Sequence, residues 1–190
     1  MRKLIIMFAM CVLGLFGQLN AQIDVQIGSG DGITTYLPHY PYYNYSVSQQ
    51  IYTAEEMGGN IGNITSISFL ESTGLYGATT RNVEVYMLNT TKENFAGSYD
   101  FVNMSTDNLV YSGTYEYSGV DGEWATIQLQ TPFAYEGANI LLCVVDNTGF
   151  WASGVRYHSY NTTDGIRNVY NHNDYYPYYA TYLSSTYCYN

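Results

Sequence analysis

The sequence predicts an all-β fold, an antiparallel two-sheet β-sandwich with jelly-roll-like topology. Three observations carry that expectation. Residues 63–70 and 81–88 alternate apolar and polar side chains with period two, as half-buried antiparallel strands do, because successive side chains leave a pleated backbone on opposite faces. Gly, Pro, Asn and Asp break the chain at short intervals, as turns between strands require. No helical pattern outlasts one turn, so the strands have only one another to pack against.

Residues 1–21 read as a signal peptide. Arg2 and Lys3 give it a positive start, residues 4–16 an apolar centre, and Ala21 is its last residue. The apolar centre is shorter than the roughly 20 residues that cross a bilayer, so it fits a cleaved leader and an exported chain without membrane insertion. Residues 22–190 then form one domain, long enough for a sizeable core. Sixteen acidic side chains against Arg81, Lys92, Arg156 and Arg167 leave that domain with a net charge of −12. Nucleic acid and anionic membrane both demand cationic surface and are excluded as partners. The acidity suits solubility outside the cell.

Within the domain, residues 23–27 suggest a short strand and residues 28–32 a glycine-rich turn. No Gly-Lys-Ser/Thr follows those glycines, so positive φ angles explain them better than a phosphate loop. Pro38 and Pro41 make residues 37–43 irregular or an edge, and residues 46–52 alternate as a strand. Thr53 and Glu56 frame a capping box on a single helical turn, and Thr90 and Glu93 repeat it. In the first central strand Ile67 and Phe69 face the core. In the second Val83, Val85 and Met87 do, with Glu84 and Tyr86 opposite. Residues 109–117 form the next strand and residues 119–122 a turn. Residues 123–129 then send Ile127 and Leu129 inward. Residues 139–146 are almost continuously apolar, as in a strand covered on both faces. Residues 150–160 make a further strand, and residues 165–190 are Tyr- and Asn-rich with weak periodicity. The expected total is eight or nine strands.

Cys143 lies in the apolar run and reads as a small buried hydrophobe. Export also permits a bridge to Cys188, although one pair in a domain of this size is no disulfide framework. Catalytic signatures such as G-x-S-x-G and H-E-x-x-H are missing. His39, His158 and His172 stand at no metal-ligand spacing, and His172 with Asp174 would supply only two ligands. Asp31, Asp121 and Glu123 sit in turns that offer weak calcium ligation at best, without a D-x-D-x-D-G loop. The expectation is no catalytic residue, no metal and no cofactor.

The anomaly is tyrosine, 23 in all. Tyr86, Tyr111 and Tyr157 suit core and cross-strand positions. Trp124 and Trp151 are further aromatic candidates for a binding surface, although a tryptophan in a strand more often belongs to the core. Tyr40-Pro-Tyr42-Tyr43 near the start recurs as Tyr176-Pro-Tyr178-Tyr179 near the end. The prolines exclude both from central strands, and neighbouring terminal strands would bring them together. Tyr40, Tyr42, Tyr43, Tyr176, Tyr178 and Tyr179 are therefore the expected ligand-binding residues, with Asn44, Asn171, Asn173 and Thr181 as polar neighbours. Tyrosine offers rigid area and a hydrogen-bonding tip at small entropic cost, which suits an extracellular glycan or a protein. The competing expectation is a structural accessory domain, whose tyrosines cover the sandwich ends or pack on a further domain.

The series IGSG, TTYLPHYPYYNYS, SQQIYTAEEMG, TSISF, TRNVEVYM, TTKENF, LVYSG and TPFAYEGANILLCVVDNTG resembles the N-terminal β-sandwich module of secreted and surface proteins of Bacteroidota. More distantly it is similar to the jelly-roll adhesin domains of gingipain-type haemagglutinins. The resemblance spans nearly everything after Ile27 and implies a β-sandwich in a non-catalytic, adhesive or accessory role at the cell surface or outside it. It carries over no catalytic residue. The chain departs from that pattern by ending at Asn190 without the C-terminal sorting domain such proteins often carry. The expectation is a short stand-alone member or an incomplete chain.

Overall fold

The computed structural model describes residues 22–72 and 80–183; the expected leader and Cys188 lie outside them. Among these residues nine strands follow in chain order: β1 (Gly32–Thr34), β2 (Tyr45–Tyr52), β3 (Gly62–Leu70), β4 (Thr80–Thr90), β5 (Leu109–Glu116), β6 (Trp124–Tyr135), β7 (Asn139–Asp146), β8 (Tyr157–Ser159) and β9 (Asn168–Asn173). A 3-10 turn, Thr106–Asn108, precedes β5. β1 pairs with β8, β2 with β7, β3 with β6 and β4 with β5, all antiparallel. Pairs nested in this way arise when one long antiparallel ribbon wraps around a core, which is the jelly-roll arrangement. One sheet runs β5–β4–β7–β2–β9. The other joins the β6–β3 and β1–β8 pairs through a bridge between Glu71 and Tyr157. β9 is added to the eight-stranded pattern along the free side of β2.

β7 shows why its sequence is apolar at nearly every position. Ile140, Leu142 and Val144 enter the core between the sheets, with Val83, Val85, Met87, Ile127 and Phe133. Leu141, Cys143 and Val145 face the other way, into a second core with Val47, Ile51, Tyr86 and Val169. Phe95, Phe101 and Met104 of the long β4–β5 connection cover that second core, together with Tyr178, Ala180 and Leu183. Burial of each such side chain contributes about 1.5–3 kcal/mol. Tyr86 is therefore buried, and β4 is covered on both faces where its alternation predicts one. Burial pushes the Cys143 thiol up to about 12, so it packs as a hydrophobe and is inert as a nucleophile.

Local departures from expectation have local causes. Residues 23–27 form no strand; the pairing segment is β1, beyond the glycine turn. Gly28 has φ +85°, and a Cβ there would lie 2.2 Å from Tyr160 Cδ1, so both backbone and packing demand glycine. The expected second capping box does not form: the Lys92 N–H donates to Thr90 Oγ1 at 3.0 Å and Lys92 Nζ pairs with Asp100 at 2.6 Å. The strand expected over residues 150–160 shrinks to β8, because the Ala152 N–H donates to Pro41 O at 2.7 Å instead of entering a ladder.

The first capping box is in place. The Glu56 N–H donates to Thr53 Oγ1 at 3.3 Å, and the Thr53 N–H donates to Glu56 Oε2 at 2.7 Å. Tyr160 Oη and Arg167 Nη1 add donors to the same carboxylate, at 2.5 and 3.3 Å. Thr53→Ala removes the reciprocal bond and should destabilise the protein by about 1 kcal/mol. A urea titration reads this as a lower midpoint at unchanged slope.

Candidate aromatic binding site

Four strand ends meet at one end of the five-stranded sheet. Ser46, near the start of β2, and Val83, near the start of β4, both oppose Asp146 at the end of β7. Tyr45 opposes Asn173, where β9 ends. The loops before β2, after β7 and after β9 therefore share one rim, which is where sandwiches present variable, functional segments.

A buried ion pair fixes this rim. Arg81 and Asp146 have no exposed side-chain surface, and Arg81 Nε donates to Asp146 Oδ2 at 2.7 Å. The remaining guanidinium donors reach into the loops: Nη1 to Phe150 O at 2.5 Å and Nη2 to Tyr43 O at 3.0 Å. The Phe150 ring lies 5.7 Å from the guanidinium carbon, a favourable cation–π distance. Asp146 Oδ1 accepts from the Thr148 N–H and Oγ1 at 3.0 and 2.6 Å. Burial pushes the Asp146 carboxyl above its usual range, against the pull of Arg81 and Thr148. A buried charge of this kind is tolerable only when paired and fully hydrogen-bonded.

On this frame sits a row of rings. Tyr170 of β9 stacks on Tyr36 at 4.6 Å, and Tyr36 meets Tyr40 edge-on at 4.8 Å. Tyr40 and Tyr43 both pack on His172, at 5.0 and 3.9 Å. Burial lowers the His172 pKa while Asp174 opposes it, so this ring is neutral at neutral pH. Tyr42 lies 6.2 Å from Tyr40 and 6.3 Å from Trp151, the last pair tilted by 53°. Each such pair adds about 0.5–1.5 kcal/mol beyond its burial, so the inner rings hold the outer two in place.

Tyr42 and Trp151 are the outer two, 57% and 61% exposed. With Asn44 and Asp174 they line an open depression of about 260 Å³. The Asn44 N–H donates to Asp174 Oδ1 at 3.2 Å and Asn44 Nδ2 to Asp174 O at 3.0 Å. These bonds leave Asn44 Oδ1 and Asp174 Oδ2 to accept from a ligand. A rigid aromatic step beside carbonyl and carboxylate acceptors can stack on an apolar ring face and accept hydroxyl protons.

The six expected tyrosines divide by burial. The segments holding them do lie beside each other, tied by Asn44 and Asp174. Tyr42, Tyr176 and Tyr179 are exposed, whereas Tyr40 and Tyr43 are half-buried among rings and Tyr178 packs on the second core. Tyr40, Tyr43 and Tyr178 therefore support the surface without presenting their faces. Trp151 and Trp124, aromatic candidates for which a core position is the commoner placement, are both exposed, Trp124 to 47%. The one signal for Trp151 was its place after Asn-Thr-Gly, a turn sequence closing β7. Asn44 and Asp174 gained their role from the β2–β9 register. His39 is buried, with Nε2 2.9 Å from Tyr117 Oη and 3.2 Å from Tyr157 Oη. Among the described residues no group of three His, Cys, Asp or Glu could hold a metal ion, and no helix is long and apolar enough to cross a membrane. No family model, no curated protein and no solved structure matches this chain.

Proposed function

We propose that the protein is a secreted, non-enzymatic binding module that holds an extracellular glycan on the step formed by Tyr42 and Trp151. The observation that carries this reading is the pair of exposed rings, whose chain neighbours Tyr43 and Phe150 are held by Arg81 and of which Tyr42 packs on Tyr40, next to acceptors on Asn44 and Asp174. Sugar rings have an apolar C–H face and a rim of hydroxyls, which is the complement of that arrangement. Solvent-exposed rings cost hydrophobic free energy unless something covers them, and here the fold stiffens them and leaves them open. Export is supported by the leader-like residues 1–21. The non-enzymatic part is supported by the lining, in which Asp174 is the sole carboxylate, whereas glycoside hydrolysis uses two opposed ones. The module needs no cofactor.

A depression this shallow contacts one or two sugar units, so binding should be modest, about −4 to −6 kcal/mol per site. The test is an array of glycans probed with wild-type protein and with Tyr42→Ala and Trp151→Ala. Both positions are exposed, so each variant should stay folded, with about 0.5–1.5 kcal/mol lost per ring pair removed and a melting temperature lower by several degrees. The reading predicts a specific glycan signal that each substitution lowers at least tenfold. A blank array with wild type, or a signal that survives both substitutions, contradicts it. Protein capture with a blank array would point to a protein partner, and the absence of both to an accessory domain.

A further inference from the structure

We infer that the Tyr42–Trp151 depression selects uncharged glycans and turns away uronate, sulfated and sialylated ones, with Asp174 as the residue that discriminates. The inference rests on the glycan reading above. Its ground is the charge inventory of the rim. The lining residues are Tyr42, Asn44, Trp151 and Asp174, so the single formal charge in the depression is negative. Asp174 is exposed, and its Oδ1 accepts only from the Asn44 main chain, a neutral donor that leaves the charge in place.

The cations nearby are withheld from a ligand. Arg81 sends Nη1 and Nη2 toward the loops that carry Trp151 and Tyr42, but its side chain has no exposed surface and is paired with Asp146. His172 packs against Tyr40 and Tyr43 and is neutral. Of the other basic groups, Lys92 pairs with Asp100 and Arg167 with Glu56 and Asp164, while Arg156 is exposed but does not line the depression. Acidic sugars are normally recognised by a guanidinium or ammonium that meets the anion directly, and none lines this depression. A ligand carboxylate seated here would lie within one or two hydrogen-bond lengths of Asp174, close enough for like charges to repel although solvent weakens the repulsion. Hydroxyls meet the reverse situation, since Asp174 Oδ2 and Asn44 Oδ1 are acceptors for their protons.

The test uses matched oligosaccharides: glucose, galactose and mannose oligomers beside uronic-acid oligomers of the same linkage. Binding to the exported chain is measured by calorimetry at low salt and at high salt. The expected result is that the best neutral oligomer binds at least tenfold more tightly than its uronate counterpart, and that salt narrows the gap by screening. Asp174→Asn keeps the oxygen that accepts from the Asn44 N–H, so the loop stays tied. It should tighten the uronate and, because an NH2 replaces the Oδ2 acceptor, weaken the neutral oligomer, closing the gap to about threefold. Equal or tighter uronate binding by wild type overturns the selectivity and leaves the glycan site standing. An unchanged gap in Asp174→Asn overturns the role of Asp174. Failure of every oligomer in both series to bind overturns the glycan reading itself, and the selectivity with it.

Discussion

Replacing Arg81 by Met should lower stability by about 3–5 kcal/mol, the cost of stranding one partner of a fully buried ion pair. For a domain of this size that is a drop of roughly 6–20 °C in melting temperature. The loss has two parts. Asp146 would be left with only Thr148 as a donor, and Tyr43 O and Phe150 O would lose the guanidinium hydrogen bonds. Arg81→Met with Asp146→Leu should recover more than half of the loss, since a buried pair replaced by apolar groups is close to neutral. Full recovery is not expected, because the two loop carbonyls remain unpaired. Thermal melts of the two variants settle the point. A single variant within 1 kcal/mol of wild type would mean that the pair does not organise the rim.

The second large effect is a fall in stability in acid, set by His39. Burial, reinforced by the positive charge of Arg81, lowers its pKa to about 3 from 6.5. A group harder to protonate when folded makes the unfolded chain the better proton binder between those two values, so stability falls as pH falls. The contribution is complete above about pH 6.5 and lost progressively toward pH 3. At about 1.4 kcal/mol per pH unit, the loss is about 3 kcal/mol by pH 4 and approaches 5 kcal/mol at pH 3. Single domains are stable by about 5–15 kcal/mol, so this one group weakens the fold severely in acid. Urea midpoints measured from pH 7 to pH 4 should fall steeply for wild type and more gently for His39→Gln, which keeps a neutral polar group beside Tyr117 and Tyr157. Parallel curves for the two proteins would remove His39 as the cause.

What the sequence made legible was whatever rests on neighbours in the chain. Alternation marked β3, β4 and β6; the apolar run at β7 announced two covered faces; and Thr53 with Glu56 gave a capping box that is present atom for atom. The repeated Tyr-Pro-Tyr-Tyr segments were visible as loop or edge material, and that is where they lie. The second core was hidden, because Phe95, Phe101 and Met104 belong to a connection without periodicity that folds back over the β7 face. Its concealment explains why β4 looked half-exposed. The rim was hidden for the same reason. Arg81 and Asp146 are 65 residues apart and meet only through the β4–β7 register. Asn44 and Asp174 are 130 apart and meet only because β9, the strand with the weakest pattern, lines up on β2. Trp151 fell within the strand expected over residues 150–160, whose first half the buried guanidinium and Pro41 divert into a loop.

The most direct measurement of where a ligand sits is the emission of Trp151. Trp124 is the other tryptophan in the chain, so Trp124→Phe leaves Trp151 as the single reporter. Titrating that variant with the best-binding neutral glycan should give a saturable change in Trp151 emission, with the same midpoint as calorimetry, abolished by Tyr42→Ala. Calorimetric binding with a silent Trp151 would place the glycan elsewhere on the molecule and contradict the account.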